Sequence, residues 1–153
     1  MSKPIIFPYG INLQDGGKVN LFPGAKVEFK NRDGEWLALF LIIDSGATIS
    51  ALPKSDAEIM GINAATGAPA LVAGIGNQYM KGWQHYVAAK LNGTRLRIPI
   101  TFLDNNNAPR VLGRAGIFNN FTIIFEESMK RSGFFDEHTT GFRAIRKILG
   151  AEK

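Results

Sequence analysis

An aspartate followed by a hydroxyl and a glycine, Asp44-Ser45-Gly46, ends an unbroken run of apolar residues, Leu37–Ile43. A carboxylate in such a place must be neutralised or held by hydrogen bonds, because burial disfavours its charged form. Ser45 and the amide of Gly46 are the nearest candidate donors. The buried run in front of it sets Asp44 apart from an ordinary surface acid, and the simpler interpretation is a turn that only ends a strand.

A second stretch that could belong to a functional site is Gly74-Ile75-Gly76, in which two glycines flank an isoleucine. The pattern predicts a turn with free backbone amides and an exposed apolar tip, at the end of a hairpin arm. Such an arm could close over a ligand as a lid, or it could be a plain surface loop. A dinucleotide site is poorly supported, because no third glycine follows at the required spacing.

A third stretch, Val111-Leu112-Gly113, predicts a short buried strand that ends at glycine. One interpretation is that Gly113 tolerates no side chain because another backbone passes close by, and the other is a strand-to-helix turn. Val111 and Leu112 are then pocket residues or core residues. A short helix is predicted over residues 115–120 and a last strand over residues 121–125.

Strands and hairpins must position these stretches. The run Leu37–Ile43 predicts a strand buried on both faces, joined by a turn at Asn31–Gly34 to an earlier strand in which Val27 and Phe29 alternate with polar residues. Asn92-Gly93 predicts another tight hairpin. Residues 4–21 predict one or two short strands joined by a turn at the aspartate-glycine-glycine sequence.

Two helices are also predicted. Ser55 and Glu58 fit the capping box of a short helix that ends near Gly61, in which Ile59 and Met60 are expected to be core contacts. Farther on, Lys130–Gly133 predicts a break in structure. The last helix is predicted to be amphipathic because apolar residues recur at helical spacing, namely Phe142, Ile145, Ile148 and Leu149.

Length and composition limit the possible functions. The chain has 153 residues, a net charge of +5 and no cysteine, which predicts one ordinary globular domain and excludes disulfides and thiol catalysis. No signal or membrane-spanning pattern is present, so we expect a cytoplasmic protein without a membrane partner. His85 and His138 lie in no ligand-like spacing, so neither a metal nor another cofactor is expected.

The three stretches together resemble the retroviral-type aspartic protease family, the retropepsins and their cellular and bacterial relatives. The family pattern of hydrophobic residue, Asp, Thr or Ser, Gly and Ala is matched by residues 43–47. Its glycine-rich flap tip is matched by residues 74–76, and its late hydrophobic-hydrophobic-Gly-Arg signature by residues 111–114. The resemblance covers roughly residues 27–125. Thr48 and Ala115 stand where retroviral members usually have an acid and an Asn or Asp.

This resemblance implies a mainly β, acid-protease-like barrel, closed or partly open, with a flap hairpin, one or two short helices and a C-terminal amphipathic helix. Residues 1–125 would form the protease domain and residues 126–153 a helical tail. A homodimer would supply two copies of the single suitable aspartate and hydrolyse peptide bonds of peptides or proteins. The implied catalytic residues are Asp44, Ser45 and Gly46, and the implied substrate-binding residues are Ala47, Thr48, Gly74, Ile75, Gly76 and Val111.

Two other functions fit the sequence less well. The first is a catalytically inactive dimer of the same fold that binds peptides or small ligands. The second is nucleic-acid binding by the basic tail, because six of the eighteen basic residues lie at or beyond Lys130. No dense basic tract occurs elsewhere, so we do not expect a nucleic-acid partner.

Overall fold

The computed structural model describes residues 1–150, and this part of the chain is mainly β. Its strands are β1 (Ile5–Pro8), β2 (Gly10–Leu13), β3 (Val19–Phe22), β4 (Gly24–Lys30), β5 (Trp36–Ile43), β6 (Ser50–Pro53), β7 (Ala68–Ala73), β8 (Tyr79–Leu91), β9 (Thr94–Leu103), β10 (Val111–Leu112), β11 (Thr122–Glu126) and β12 (Arg131–Phe135). The α-helices are α1 (Lys54–Ile59) and α2 (Phe142–Ile148), and short 3₁₀ turns occupy Ala64–Thr66 and Glu127–Met129.

Six strands form a barrel in the order β4-β5-β10-β6-β9-β8. The barrel is closed because β8 pairs back with β4, where Phe29 lies opposite Ala89. Strand residues point alternately into the barrel and out of it, and the interior is filled by side chains such as Phe29, Leu41 and Phe102. Strand β7 lies outside the ring and pairs with the first half of β8 as a hairpin arm. The predicted mainly β fold with a barrel, a hairpin arm and short helices is confirmed.

Strand β5 was expected to be buried on both faces, and this prediction is wrong. Leu39, Leu41 and Ile43 point into the core, whereas Phe40 is 37% exposed on the outer face. A strand in a closed barrel meets the core with one face only. The outer face of β5 is instead covered in part by Phe22, whose ring packs edge-on against Phe40.

The predicted turns at Asn31–Gly34 and Asn92–Gly93 join β4 to β5 and β8 to β9 as expected. The predicted capping box of α1 is wrong, because the helix begins directly after Pro53 and no side chain caps it. The amide of Ser55 instead donates its hydrogen bond to Asn106 Oδ1, which lies on another loop.

Two smaller helix predictions also need correction. Met60 is fully buried as expected, but Ile59 is 61% exposed. Residues 115–120 form consecutive hydrogen-bonded turns and no regular helix, with the amides of Ile117 and Phe118 both bonded to the Arg114 carbonyl.

A second sheet is formed by β1, β12 and β11, with β12 in the middle. The break predicted at Lys130–Gly133 is therefore wrong, because Arg131 to Phe135 is a paired strand and only Lys130 has a left-handed turn conformation. Helix α2 lies where the last helix was predicted. The division into residues 1–125 and a tail of residues 126–153 stays a prediction, and the last three residues of that tail lie outside the described range. Among residues 1–150, no helix has the length and apolar character needed to cross a membrane.

Candidate active site

The backbone on either side of Asp44 is held by strands from distant parts of the chain. Ile42 and Ile43 run parallel to Val111 and Leu112 of β10. The Asp44 amide donates to the Leu112 carbonyl at 3.0 Å, and the Ile43 amide donates to the Pro23 carbonyl at 3.0 Å. The aspartate therefore leaves the barrel from a fixed point, between β10 on one side and the residues before β4 on the other.

The loop after Asp44 folds back onto its carboxylate. The Gly46 amide donates to Asp44 Oδ1 at 2.8 Å, and the Ala47 amide donates to the Asp44 carbonyl at 3.2 Å. The bond expected between Gly46 and the carboxylate is thus present. Asp44, Ser45 and Gly46 are all exposed in the single chain, and Asp44 Oδ2 accepts no hydrogen bond within residues 1–150. One oxygen of the carboxylate is held and the other faces outward.

Arg114 donates three hydrogen bonds to the same loop. Its backbone amide donates to the Ala47 carbonyl at 2.9 Å, and its guanidinium donates to the Ser45 carbonyl at 2.8 Å and to Thr48 Oγ1 at 3.4 Å. Ala115 adds a bond from its amide to the Thr48 carbonyl at 2.9 Å. Arg114 was not among the predicted site residues, although it is the last residue of the hydrophobic-hydrophobic-Gly-Arg signature at residues 111–114.

Gly113 lies directly behind the loop. A Cβ atom there would approach the Ile49 carbonyl carbon to 2.6 Å, so the predicted close approach of another backbone is confirmed. The Gly113 amide donates to Ser50 Oγ at 2.9 Å, and Ser50 is fully buried. Ser50 was also missed, because a serine at the start of a strand gives no sequence signal of its partner.

The hairpin arm carries the Gly74-Ile75-Gly76 stretch at its tip. The Gly74 amide donates to the Gln78 carbonyl at 2.7 Å, and Gly76 and Asn77 close the turn with φ angles of 77° and 59°. Ile75 is 100% exposed. The tip therefore presents an unpacked apolar side chain, and no hydrogen bond joins it to the Asp44 loop within the described part of the chain.

Val111 lies against the part of the arm next to its tip, where Val72 pairs with Met80. It is half-buried and packs with Val72 and Met80 of the arm against a small apolar cluster that contains Ala51 and Leu103. The structure thus brings Asp44–Thr48 together with Gly113 and Arg114, and it brings Val111 together with the arm residues next to the tip. The residues at the tip of the arm stand apart from both groups.

Two cavities in the described part of the chain both lie away from Asp44. One, of about 420 Å³, lies beside the outer face of β5 between Phe40, Ile42 and the loop Asn106–Arg110. The other, of about 460 Å³, lies between the β8–β9 turn and the segment that leads to α2. Among residues 1–150, no group of three or more His, Asp or Glu side chains is arranged to hold a metal ion.

Comparison with known proteins finds similarity among solved structures only. No family model matches the chain, and no curated protein matches it. Among solved structures, the EIAV protease in complex with the inhibitor HBY-793 aligns with 92% of this chain and 96% of its own, at 16% sequence identity and a TM-score of 0.46. This TM-score is too low to indicate a function, so the evidence for function is the sequence motifs and the geometry of this chain.

Proposed function

We propose that this chain is an aspartic-type endopeptidase that hydrolyses peptide bonds with a water activated by a pair of Asp44 carboxyls at a homodimer interface. The observation that supports this most is the Asp44 loop itself. One carboxylate oxygen is held by the Gly46 amide, the other is free, and the loop around them is fastened by Leu112 and Arg114. A carboxylate that takes a proton from water must be held in position and must keep one oxygen free to accept that proton.

A second carboxyl is needed to complete the chemistry. Two adjacent carboxyls share one proton, so that the ionised one takes a proton from water while the protonated one donates a hydrogen bond to the scissile carbonyl. Asp44 is the sole acid between Trp36 and Lys54. The second carboxyl therefore comes from Asp44 of another copy, across a two-fold axis.

The other site residues then take supporting roles. Ser45 hydrogen-bonds across the interface and holds the two loops together, as the family resemblance implies. Ala47, Thr48 and Val111 line the path of an extended peptide, which docks by backbone hydrogen bonds. Gly74, Ile75 and Gly76 close over the peptide, and the fully exposed Ile75 gains cover when they do. Cytoplasmic localisation is part of the same proposal.

The decisive variant is Asp44→Asn, which removes the acid and keeps the shape of the side chain. Cleavage of a peptide library, read by mass spectrometry, should fall by a factor of about 10²–10⁴ or more, and a pepstatin-type inhibitor should block the unmodified protein. The matched control is Asp33→Asn, an exposed aspartate in the β4–β5 turn, which should cleave normally. Thermal unfolding of both variants confirms that they fold.

The pH profile gives a second test. Activity should be bell-shaped with its maximum on the acid side of neutrality, because one carboxyl must be ionised and the other protonated. Equal cleavage by Asp44→Asn, or a rate that climbs steadily above about pH 8, would contradict the proposal. Dimers that bind peptides but never cleave them would instead support an inactive binding protein of the same fold.

A further inference from the structure

The hairpin formed by β2 and β3 presents an apolar face to solvent. Ile11 lies opposite Leu21, and Leu13 lies opposite Val19, so the four side chains share one face. They are 69%, 41%, 74% and 60% exposed, respectively. The polar pair Asn12 and Asn20 lies on the opposite face. Asn12 and Asn20 are exposed as well, so the apolar pairs are not packed against the core of the chain.

Packing at the base of the hairpin fixes its orientation. Phe22 packs against Phe40 of β5 at a ring-centroid distance of 5.9 Å. Glycines make this approach possible, because a Cβ atom would come within 2.5 Å of the Phe40 ring at Gly10 and within 2.2 Å at Gly24. The hairpin is thus fixed with its apolar face outward. A two-stranded sheet that packs against nothing is marginally stable in water, so we expect a partner to cover this face.

The hairpin also stands next to the proposed catalytic aspartate. Pro23, which follows β3 directly, accepts the hydrogen bond from the Ile43 amide at 3.0 Å, and Asp44 is the next residue. A second copy that brings its own Asp44 alongside this one is therefore brought close to the hairpin. The base of the hairpin therefore adjoins the proposed dimer interface, and the apolar face extends from that base.

We infer that the face of Ile11, Leu13, Val19 and Leu21 docks on a second copy of this chain; the inference rests on the proposed function. Each copy has a net charge of +5, so two copies repel each other and associate best through uncharged surface. Neither β2 nor β3 contains a charged residue. The charges of the hairpin, Asp15 and Lys18, lie in its turn, which matches the apolar centre and polar rim of a protein interface.

The first test replaces one cross-strand pair of the face with the double variant Ile11→Thr/Leu21→Thr. Threonine favours strands, so the hairpin should persist while apolar contact is lost. Sedimentation velocity over a dilution series should show the dimer dissociation constant raised about tenfold or more. The matched control, Asn12→Thr/Asn20→Thr, changes the same two strands on the opposite face and should dimerise like the unmodified protein.

The second test does not depend on weakening the dimer. Because the chain has no cysteine, a single Leu13→Cys substitution provides one thiol on the face, and Gln14→Cys provides one in the adjacent turn. The rate of maleimide labelling at Leu13→Cys should fall as the protein concentration is raised through the dimer dissociation constant. The rate at Gln14→Cys should stay constant.

The outcomes separate this inference from the proposed function. If Asp44→Asn abolishes cleavage while Ile11→Thr/Leu21→Thr dimerises normally and Leu13→Cys stays unprotected, the inference is overturned and the function stands. A raised KM with unchanged dimerisation would assign the face to substrate and also overturn the inference. If the hairpin variants lose the dimer but Asp44→Asn still cleaves, the docking face stands and the function fails. A strictly monomeric protein overturns both.

Discussion

At the scale of single residues, Gly113 sets the distance between β10 and the backbone that follows the Asp44 loop. The variant Gly113→Ala places a methyl group within 2.6–2.7 Å of the Ile49 carbonyl, where neither backbone can move without disturbing β10 or β6. We expect a loss of about 1–3 kcal/mol in the free energy of unfolding, as for other overpacked sites. Urea denaturation measures this loss.

The matched control for Gly113 is Gly74→Ala at the tip of the arm. There a Cβ atom would meet only the Gln78 carbonyl, at an ordinary contact distance of 3.5 Å. Its unfolding free energy should stay close to that of the unmodified protein. A Gly113→Ala variant as stable as this control would show that the backbone behind the Asp44 loop is free to shift.

Glu127 provides a pH-dependent contribution to stability. Hydrogen bonds, first from Lys130 and then from the Tyr9 hydroxyl, hold the pKa of Glu127 below its ordinary value of 4.5. A lowered pKa in the folded state gives stability that is present above the unfolded value and lost as the pH falls through the folded one. Glu127→Gln should therefore destabilise the protein near about pH 7, and this difference should shrink by about pH 3.

Urea denaturation of Glu127→Gln at both pH values tests the sign of this effect. Glu35→Gln, at an exposed glutamate in the β4–β5 turn, is the control and should not reproduce the change with pH. A difference that grows toward acid pH would contradict the pairing of Glu127 with Lys130.

Apart from the close backbone approach at Gly113, the residue contacts of the candidate site were predictable only where they are local. Gly46 lies two positions from Asp44, so its bond to the carboxylate follows from the sequence of the turn. Arg114 lies sixty-nine positions from Ser45, and its bond to that carbonyl depends on β10 entering the barrel beside β5. No single-sequence signal specifies such a contact.

At the scale of elements, the ion pair between Asp56 and Arg110 ties helix α1 to the strand that supports the site. Arg110 donates to both carboxylate oxygens of Asp56 at 2.8 and 2.9 Å, and Asp56 is 1% exposed. The pKa of Arg110 is raised by this hydrogen bond. The Arg110 carbonyl also accepts from the Ile42 amide, two residues before Asp44.

Arg110→Met should therefore leave a buried carboxylate without its partner. We expect a loss of about 3 kcal/mol in the free energy of unfolding, the lower end of the range for such deletions, because the Arg110 side chain is itself 41% exposed. The control Lys54→Met breaks a neighbouring pair with Asp104 that is exposed on both sides and should cost about 1 kcal/mol or less. Equal losses in the two variants would contradict the importance of the buried pair.

Strands and turns were predictable where the residues of a turn determine its conformation by themselves. Asn92 and Gly93 adopt φ angles of 46° and 88°, the left-handed conformations that a two-residue hairpin turn requires. Lys130 has a similar φ of 50°, but the following residues are a strand because β1 and β11 pair with β12 on both sides. The capping box failed for the same reason, since Asn106 from a distant loop satisfies the amide of Ser55.

At the scale of the whole molecule, the barrel explains why the proposed site needs two copies of the chain. β5 delivers one carboxylate to the surface beside β10, and the exposed oxygen of Asp44 has no acidic neighbour on its own loop. The parallel neighbour β10 ends at the same edge in Leu112 and Gly113, neither of which has a carboxyl group. Proteolysis by this chain therefore has to depend on the concentration of protomers.

Activity per protomer should accordingly fall on dilution. Well below the dimer dissociation constant, halving the protein concentration should cut the rate to about a quarter, since the rate follows the square of the protomer concentration. Peptide cleavage measured over a dilution series, alongside sedimentation velocity, tests this relation. A rate that stays proportional to protein concentration while the protein is monomeric would contradict a shared site.

Mixing unmodified protein with Asp44→Asn sharpens this prediction, because the variant keeps the dimer surface and lacks the acid. With equal amounts that exchange freely above the dissociation constant, about a quarter of the dimers contain two intact copies, so activity per intact protomer should fall by about half. Asp33→Asn, mixed in the same proportion, dilutes no active pair and should leave that activity unchanged. If a large excess of Asp44→Asn fails to suppress cleavage, then each chain acts alone, and Asp44 does not need a second carboxyl from another copy.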